Sequence, residues 1–328
     1  MRRLAVICVV LSALFAQTDA AEVKITVEEP SGVDRAGWPV TSGVPLPRGA
    51  LKDDQASALF ATDGTEVPLQ TEVLARWPDG SVRWLLLDFQ VDLDAREKRT
   101  FSLRHGPEVR RATVEDPLRV MTHADGKVTL DTGQVRMQYD PKRFMPQGAA
   151  WLKTVAGDRD SDGRLTLNCV ADGAWLEDDR GRDHLAHEGK AEITIEQTGP
   201  VRVCLRVTGH HGPEPMFRYV VRVHAWRGRP WVRVFYTFVN DHQQSLMAKI
   251  RRLELRFWSA GGGGTSLLDG KPVAEGRLFQ VDEHEYLVDG KPAGKHGRGW
   301  AAVGSERCGL AVGLREFWQN WPKAIRCD

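Results

Sequence analysis

Apolar and polar residues alternate with a period of two along most of the chain, and no segment sustains a helical apolar period in good helix formers over several turns. Residues 24–27, 66–75, 82–89, 99–104, 128–130 and 134–139 read as short strands, separated by Asp-Gly and Pro-Asp-Gly turn signals. From Lys190 the alternating stretches lengthen, at 191–197, 201–208, 217–226, 231–239 and 250–258, as in the sheets of a sandwich. The pattern predicts an all-β protein. Asp269-Gly270-Lys271-Pro272 and Asp289-Gly290-Lys291-Pro292 read as two hairpin tips, and the glycine run 261–264 as a flexible connection. Trp77-Pro78-Asp79-Gly80 reads as a tight turn. In the strand after it Arg83 and Trp84 take opposite faces, so they cannot both be buried.

The most informative hairpin is 221–238, with its turn at Arg227-Gly228-Arg229-Pro230. That turn sets Trp226 against Trp231, His224 against Arg233 and Arg222 against Phe235, all on one sheet face. Val221, Val223, Ala225, Val232, Val234 and Tyr236 then face the core. Arg222, His224, Trp226, Trp231 and Arg233 are the candidate substrate-binding residues, because aromatic rings can carry a sugar and guanidinium forks its carboxylate. The other use of such a face is structural, with tryptophans covering a neighbouring domain and arginines solvating an edge.

The N-terminus changes the picture of location. Met1-Arg2-Arg3 is a positive start, an apolar run follows to Phe15, and Thr18-Asp19-Ala20 offers small residues for cleavage, so 1–21 reads as a signal peptide. The run is shorter than the roughly 20 apolar residues a spanning helix needs, and no later stretch approaches that length. Export to the periplasm or the medium is expected, with no membrane span. The remainder is long for one compact core, which suggests a barrel-sized domain at 22–112 and a larger one at 113–328, divided by a polar stretch at 106–115. A formal net charge of +1 argues against nucleic acid as partner. Cys169, Cys204, Cys308 and Cys327 remain after cleavage; they allow three complete pairings, and otherwise read as buried thiols or one stabilising disulfide.

Asp158, Asp160 and Asp162 stand on alternate residues before Gly163, the spacing with which a calcium loop converges oxygens on one Ca²⁺. Cys169 occupies the position where an EF-hand carries its bidentate Glu, so Asp172, backbone or water would have to complete the shell. A solvated Asp/Gly turn is the other reading. His184, His187 and the pair His210-His211 lack a third ligand at zinc spacing and read as loop histidines, and neither a Gly-x-Ser-x-Gly elbow nor a nucleotide motif is present.

Several motifs resemble one known family. Gly43-Val44-Pro45-Leu46-Pro47-Arg48-Gly49-Ala50, Pro68-Leu69-Gln70 and Ala75-Arg76-Trp77-Pro78-Asp79-Gly80-Ser81-Val82-Arg83-Trp84-Leu85 are similar to the N-terminal RIFT-type barrel of exo-rhamnogalacturonan lyases and YetA-like proteins, grouped as polysaccharide lyase family 26. Asp131-Thr132-Gly133, the stretch from Val221 to Asn240, and Arg315-Glu316-Phe317-Trp318-Gln319-Asn320-Trp321-Pro322 resemble the central β-sandwich of the same proteins. The resemblance implies a RIFT barrel followed by a large antiparallel sandwich, and beyond them a catalytic α/α toroid that this sequence, ending at Asp328, does not contain. Three readings follow. The chain is the non-catalytic front part of a pectin-degrading lyase, meeting an acidic plant-type polysaccharide or a toroid domain. Alternatively it is a complete small lyase cleaving rhamnogalacturonan by β-elimination, or a cell-surface binding module without catalysis. No position matches a catalytic base, and without a toroid Phe317, Trp318 and Trp321 are expected to be partly exposed or to close the sandwich core.

The calcium reading has a direct test. If Asp158, Asp160 and Asp162 hold Ca²⁺, chelator lowers the melting temperature and added Ca²⁺ restores it. An unchanged melting temperature leaves the segment as a solvated turn.

Overall fold

The structure is a computed structural model that describes residues 21–153, 164–167, 173–213, 216–241, 247–257, 264–304 and 309–327, the stretch 164–167 by its backbone only. Residues 1–20 of the expected signal peptide, Asp158, Asp160, Asp162, Cys169, Asp172, Cys308 and glycines 261–263 lie outside the described residues. The fold is all-β, with one short 3₁₀ turn at Ala186–Glu188 among the described residues. It divides into two compact units between Val114 and Glu115.

The first unit contains β1 (Ala21–Glu28), β2 (Arg35–Pro45), β3 (Ser57–Phe60), β4 (Glu66–Val67), β5 (Leu69–Arg76), β6 (Val82–Leu93) and β7 (Lys98–His105). They form two antiparallel sheets, β1-β7-β3-β4 and β2-β6-β5. Alternation on β6 puts Leu85, Leu87, Phe89, Val91 and Leu93 inward, where they meet Leu59, Phe101 and Leu103 of the other sheet. The predicted strand at 66–75 is broken at Pro68, which has no N–H for a ladder, and so becomes β4 and β5. Trp84 and Arg83 are both exposed. Register shifts opposite Val82 and Trp84 swing Arg83 outward over the Trp77 ring, its guanidinium carbon 4.8 Å from the centroid. The Trp77-Pro78-Asp79-Gly80 turn closes with Gly80 N–H donating to Trp77 O at 2.9 Å.

The polar stretch after His105 is not a free linker along its whole length. Arg111 turns back into the first unit and donates to Ser57 O and Asp54 O, each at 2.9 Å, to Ser57 Oγ at 2.9 Å and to Thr71 Oγ1 at 3.1 Å. Burial pulls its pKa down, and Asp54 and Glu66 oppose that shift.

The second unit continues with β8 (Arg119–Thr122), β9 (Val128–Asp131), β10 (Val135–Tyr139), β11 (Ala149–Leu152), β12 (Arg164–Leu167), β13 (Ala174–Asp178), β14 (Asp183–Leu185), β15 (Ala191–Gln197), β16 (Arg202–His211), β17 (Met216–Trp226), β18 (Val232–Val239) and β19 (Ile250–Leu255). Sheet β12-β11-β10-β9-β8 and sheet β15-β16-β17-β18 share one core. Val128, Leu130, Val135, Met137 and Tyr139 from the first meet Val203, Leu205, Val207, Val221, Val223 and Ala225 from the second. β16 runs past its predicted end, so His210 and His211 are strand residues and not loop residues. His211 can be buried because both ring nitrogens are satisfied: Nδ1–H donates to Phe217 O at 2.8 Å, and Nε2 accepts from Tyr236 OH at 2.7 Å.

Beyond the sandwich lie β20 (Thr265–Leu268), β21 (Lys271–Val273), β22 (Gly276–Gln280), β23 (Tyr286–Val288), β24 (Lys291–Gly294), β25 (Trp300–Gly304), β26 (Gly309–Gly313) and β27 (Lys323–Cys327). They form sheets β21-β20-β25-β26 and β24-β23-β22-β27 around a small core of Leu268, Leu278, Ala301 and Phe317. Both expected hairpin tips are there. Asp269 and Gly270 have φ of 53° and 89°, Asp289 and Gly290 of 50° and 77°, the doubly left-handed pattern of a two-residue hairpin turn. Phe317 closes this core, Trp318 stacks on His296 with centroids 3.9 Å apart, and Trp321 is exposed.

Replacing Arg111 by Ala removes these hydrogen bonds and leaves carbonyls of the first unit unpaired, which should lower that unit's stability by about 2 kcal/mol. Chemical denaturation resolving the first transition measures it, and an unchanged midpoint would make the staple incidental. His211 provides a second expectation, since burial pulls its pKa below the ordinary histidine value. It binds fewer protons folded than unfolded, so stability is retained at neutral pH and falls as pH drops below about 6.5. His211→Gln should flatten that part of the stability profile.

Candidate functional site

The outer face of sheet β15-β16-β17-β18 is assembled by alternation. With the odd-numbered side chains of β16 and β17 in the core, the even-numbered ones point away from it. β17 and β18 pair Arg222 with Phe235, His224 with Arg233 and Ala225 with Val232, the register expected from the turn. Trp226 and Trp231 meet with ring centroids 5.0 Å apart. The turn between them is clamped from β9 and β10: Gly228 N–H donates to Thr132 O at 2.6 Å, and Thr132 Oγ1 donates to Arg229 O at 2.7 Å. The Asp131-Thr132-Gly133 motif thereby holds the hairpin tip.

β16 and β15 add residues that sequence reading did not assign to this face. Arg202 lies opposite Trp226, Cys204 opposite His224 and Arg206 opposite Arg222, while Glu196 reaches in from β15. Their alternation within 201–208 was visible, but which of them meets which residue of the next strand depends on the register across the β16–β17 connection.

His224 sits at the centre. Its Nδ1 accepts a hydrogen bond from Arg202 Nη2 at 3.3 Å, which leaves Nε2–H directed at Cys204 Sγ, 3.8 Å away. The ring lies nearly parallel to Trp226, with centroids 6.1 Å apart, and edge-on to Phe235 at 5.4 Å. Burial first, then the positive charges of Arg202 and Arg233, pull its pKa down to about 4. Burial and the neighbouring Glu196 carboxylate push the Cys204 thiol up to about 12. The pair is therefore a neutral thiol beside a neutral imidazole, not the thiolate–imidazolium arrangement of a cysteine nucleophile. Cys204 is unbridged, so none of the complete cysteine pairings is formed.

The five expected binding residues share this face but differ in what they can do. Arg222 is committed to Glu196, with bonds of 2.6 and 2.8 Å, and its charge is largely cancelled. Trp226 is only 4% exposed, and its indole N–H has no partner among the described residues. Trp231 is half-buried and Phe235 is exposed, so these offer the accessible ring surface. Arg233 lies over Trp226 with 5.4 Å from its guanidinium carbon to the ring centroid, and among the described residues it has no carboxylate partner. Burial, Arg315 and Arg202 all pull its pKa down. The site can therefore hold an anion beside an aromatic surface. Among the described residues His224 is not a free base there, since its lone pair is occupied by Arg202.

The other histidines lie elsewhere. His184 contacts Asp178 at 3.3 Å and His210 contacts Asp241 at 3.1 Å. Among the described residues no group of three or more His, Cys, Asp or Glu side chains could hold a metal ion.

Residues 28–104 match the PcRGLX-like N-terminal RIFT barrel domain, and residues 119–258 match the PcRGLX-like protein central beta sandwich domain. The uncharacterized protein YetA of Bacillus subtilis (strain 168) is 25% identical over 226 residues, covering 66% of this chain and 25% of its own length. An alpha-mannosidase from Enterococcus faecalis V583 is a structural neighbour at 11% identity and a TM-score of 0.47, over 87% of this chain and 36% of that one. This chain thus spans about a quarter of the length of the curated relative it matches. The two domain matches together take in more than half of the sequence, and the chain belongs to the PcRGLX-like proteins, of which it carries the N-terminal RIFT barrel and the central β-sandwich.

Proposed function

We propose that this chain is an exported, carbohydrate-associated β protein. In this reading the outer face of β15-β16-β17-β18 contacts an acidic, uronate-containing saccharide as the wall of a cleft and not as a catalytic centre. One observation carries the reading: Arg233 has no carboxylate partner among the described residues, yet lies against the Trp226–Trp231 pair. A half-buried guanidinium without an anion is unfavourable by itself and is relieved by a ligand carboxylate. Trp231 and Phe235 give the apolar face of a sugar ring something to lie on. The neutral, already bonded His224 and the high pKa of Cys204 speak for contact over proton abstraction. Export rests on the N-terminal sequence pattern.

Calorimetry with rhamnogalacturonan fragments tests the proposal. Arg233→Ala should weaken binding by about 1.5 to 3 kcal/mol, the worth of a charge-assisted hydrogen bond. Trp231→Ala should weaken it by about 1 kcal/mol. Unchanged affinity in both folded variants would leave the hairpin as scaffold. Release of an unsaturated, ultraviolet-absorbing product from the same fragments by this chain alone would overturn the non-catalytic part of the reading. With the His224 pKa at about 4, the imidazole stays neutral across the neutral range, so affinity should be flat between about pH 8 and pH 6. A step centred near 6.5 would contradict the assigned protonation state.

A further inference from the structure

We infer that β18 is the contact edge of a two-fold dimer, in which a second copy of this chain adds its own β18 antiparallel and continues the sheet. Among the described residues β18 has β17 on one side and no strand on the other, so the outward N–H and C=O groups of alternate residues have no ladder partner. Natural sheets keep such edges from pairing by shortness, proline, charge or a bulge. The other edges described here carry those features. β15 has Glu192, Glu196 and a register shift after Ile195, and β2 has Pro39, Pro45 and a shift after Arg35. β1, β5 and β19 also carry charged residues, and the remaining edge strands are five residues long or shorter. β18 has eight residues with no proline, lysine or acid, Arg233 is its only charge, and it pairs with β17 without a register shift. It is the one long edge among the described residues left open to pairing.

The side chains of β18 make a second copy the fitting occupant. Phe235, 45% exposed, shares the outer face with Arg233 and Thr237. Phe238, 46% exposed, lies on the side of Val232, Val234 and Tyr236, which pack on the sandwich core. Residues directly opposite in an antiparallel pair point to the same side, so outer residues must meet outer residues and core-side residues core-side ones. Pairing centred on Phe235 satisfies this. Phe235 meets the partner's Phe235, Val234 meets the partner's Tyr236, and Val232 meets the partner's Phe238. Arg233 faces the partner's Thr237, which keeps the two guanidiniums apart. Both exposed phenylalanines thereby gain an apolar cross-strand neighbour, and the strand is its own complement. Centring on Tyr236 would instead set Arg233 against the partner's Val239 and Phe235 against the partner's Thr237. In the Phe235 register the two-fold axis is perpendicular to the sheet, so the outer faces of both copies lie on one side. A single strand pair is a small interface, so the association is weak and depends on concentration.

Sedimentation of the full chain over a range of concentrations tests the dimer, which should form in the micromolar range. Two substitutions at the exposed Thr237 then test the register with opposite signs. Thr237→Lys sets like charges against each other at the partner's Arg233 and should weaken the dimer by about tenfold, since the contact occurs twice. Thr237→Glu sets opposite charges there and should strengthen it by about the same factor. Mild oxidation should cross-link Phe235→Cys to its own copy. It should not cross-link Thr237→Cys, whose two copies stand about 13 Å apart along the strands, beyond the reach of a disulfide. The unsubstituted chain, oxidised in parallel, accounts for the native cysteines, and melting temperatures certify that each variant is folded. A chain that stays monomeric at millimolar concentration would overturn the proposal. So would a dimer indifferent to both charged substitutions, or cross-linking of Thr237→Cys in place of Phe235→Cys.

Discussion

Everything at the candidate site follows from one requirement, that sheet β15-β16-β17-β18 bury one of its faces. Val203, Leu205 and Val207 on β16 and Val221, Val223 and Ala225 on β17 are fully inaccessible, and they pack onto β9 and β10. Each valine or leucine among them contributes on the order of 1.5 to 3 kcal/mol when buried. A slip of one residue in the β16–β17 register would exchange this set for Arg202, Cys204, Arg206, Arg222 and His224, so the register is strongly specified. The cationic face is the other half of the same alternation. Its residues stand side by side because their neighbours had to be buried.

What that face does is set by an unequal distribution of anions. Glu196 accepts both bonds of the Arg222 fork, lies near Arg206 and accepts from the Cys204 thiol at 3.5 Å. Its charge is therefore shared over one side of the face. On the other side Arg202 donates to His224, and Arg233 stands across the β17–β18 ladder from His224 with no carboxylate partner among the described residues. A histidine between two guanidiniums cannot afford a proton, and burial acts in the same direction, so the imidazole stays neutral and serves as acceptor to Arg202. The thiol of Cys204 is then a relay between the imidazole N–H and the Glu196 carboxylate, with no nucleophilic character.

The region 265–327 shows how little core a small β assembly needs when its turns are sharply defined. Its two sheets close on Leu268, Leu278, Ala301 and Phe317. Gly299 has φ of 76°, and a Cβ there would come within 2.3 Å of the Phe317 Cβ, so the Phe317 ring fits only against a residue without a side chain. This explains why Phe317, Trp318 and Trp321, so close in sequence, have different fates. One fills the core, one stacks on His296, and one is left to solvent.

The sequence by itself determined the all-β class, the two Asp-Gly hairpin tips and the internal register of the 221–238 hairpin. Each of these depends on contacts a few residues apart, where period-two alternation and turn chemistry act directly. That the five candidate residues share one sheet face was legible for the same reason. Only the tertiary structure decided that Arg222 is neutralised by Glu196, that Trp226 is buried, and that Arg202 donates to His224. Those outcomes depend on pairing between β15, β16 and β17 and on a bulge at Ile195, between strands joined by connections whose register no local pattern specifies. The same holds for His210 and His211. Next to Gly212 and Pro213 they look like loop residues, and it is the acceptor at Phe217 and the hydroxyl of Tyr236, supplied by other strands, that allow His211 to remain in the sheet and in the core.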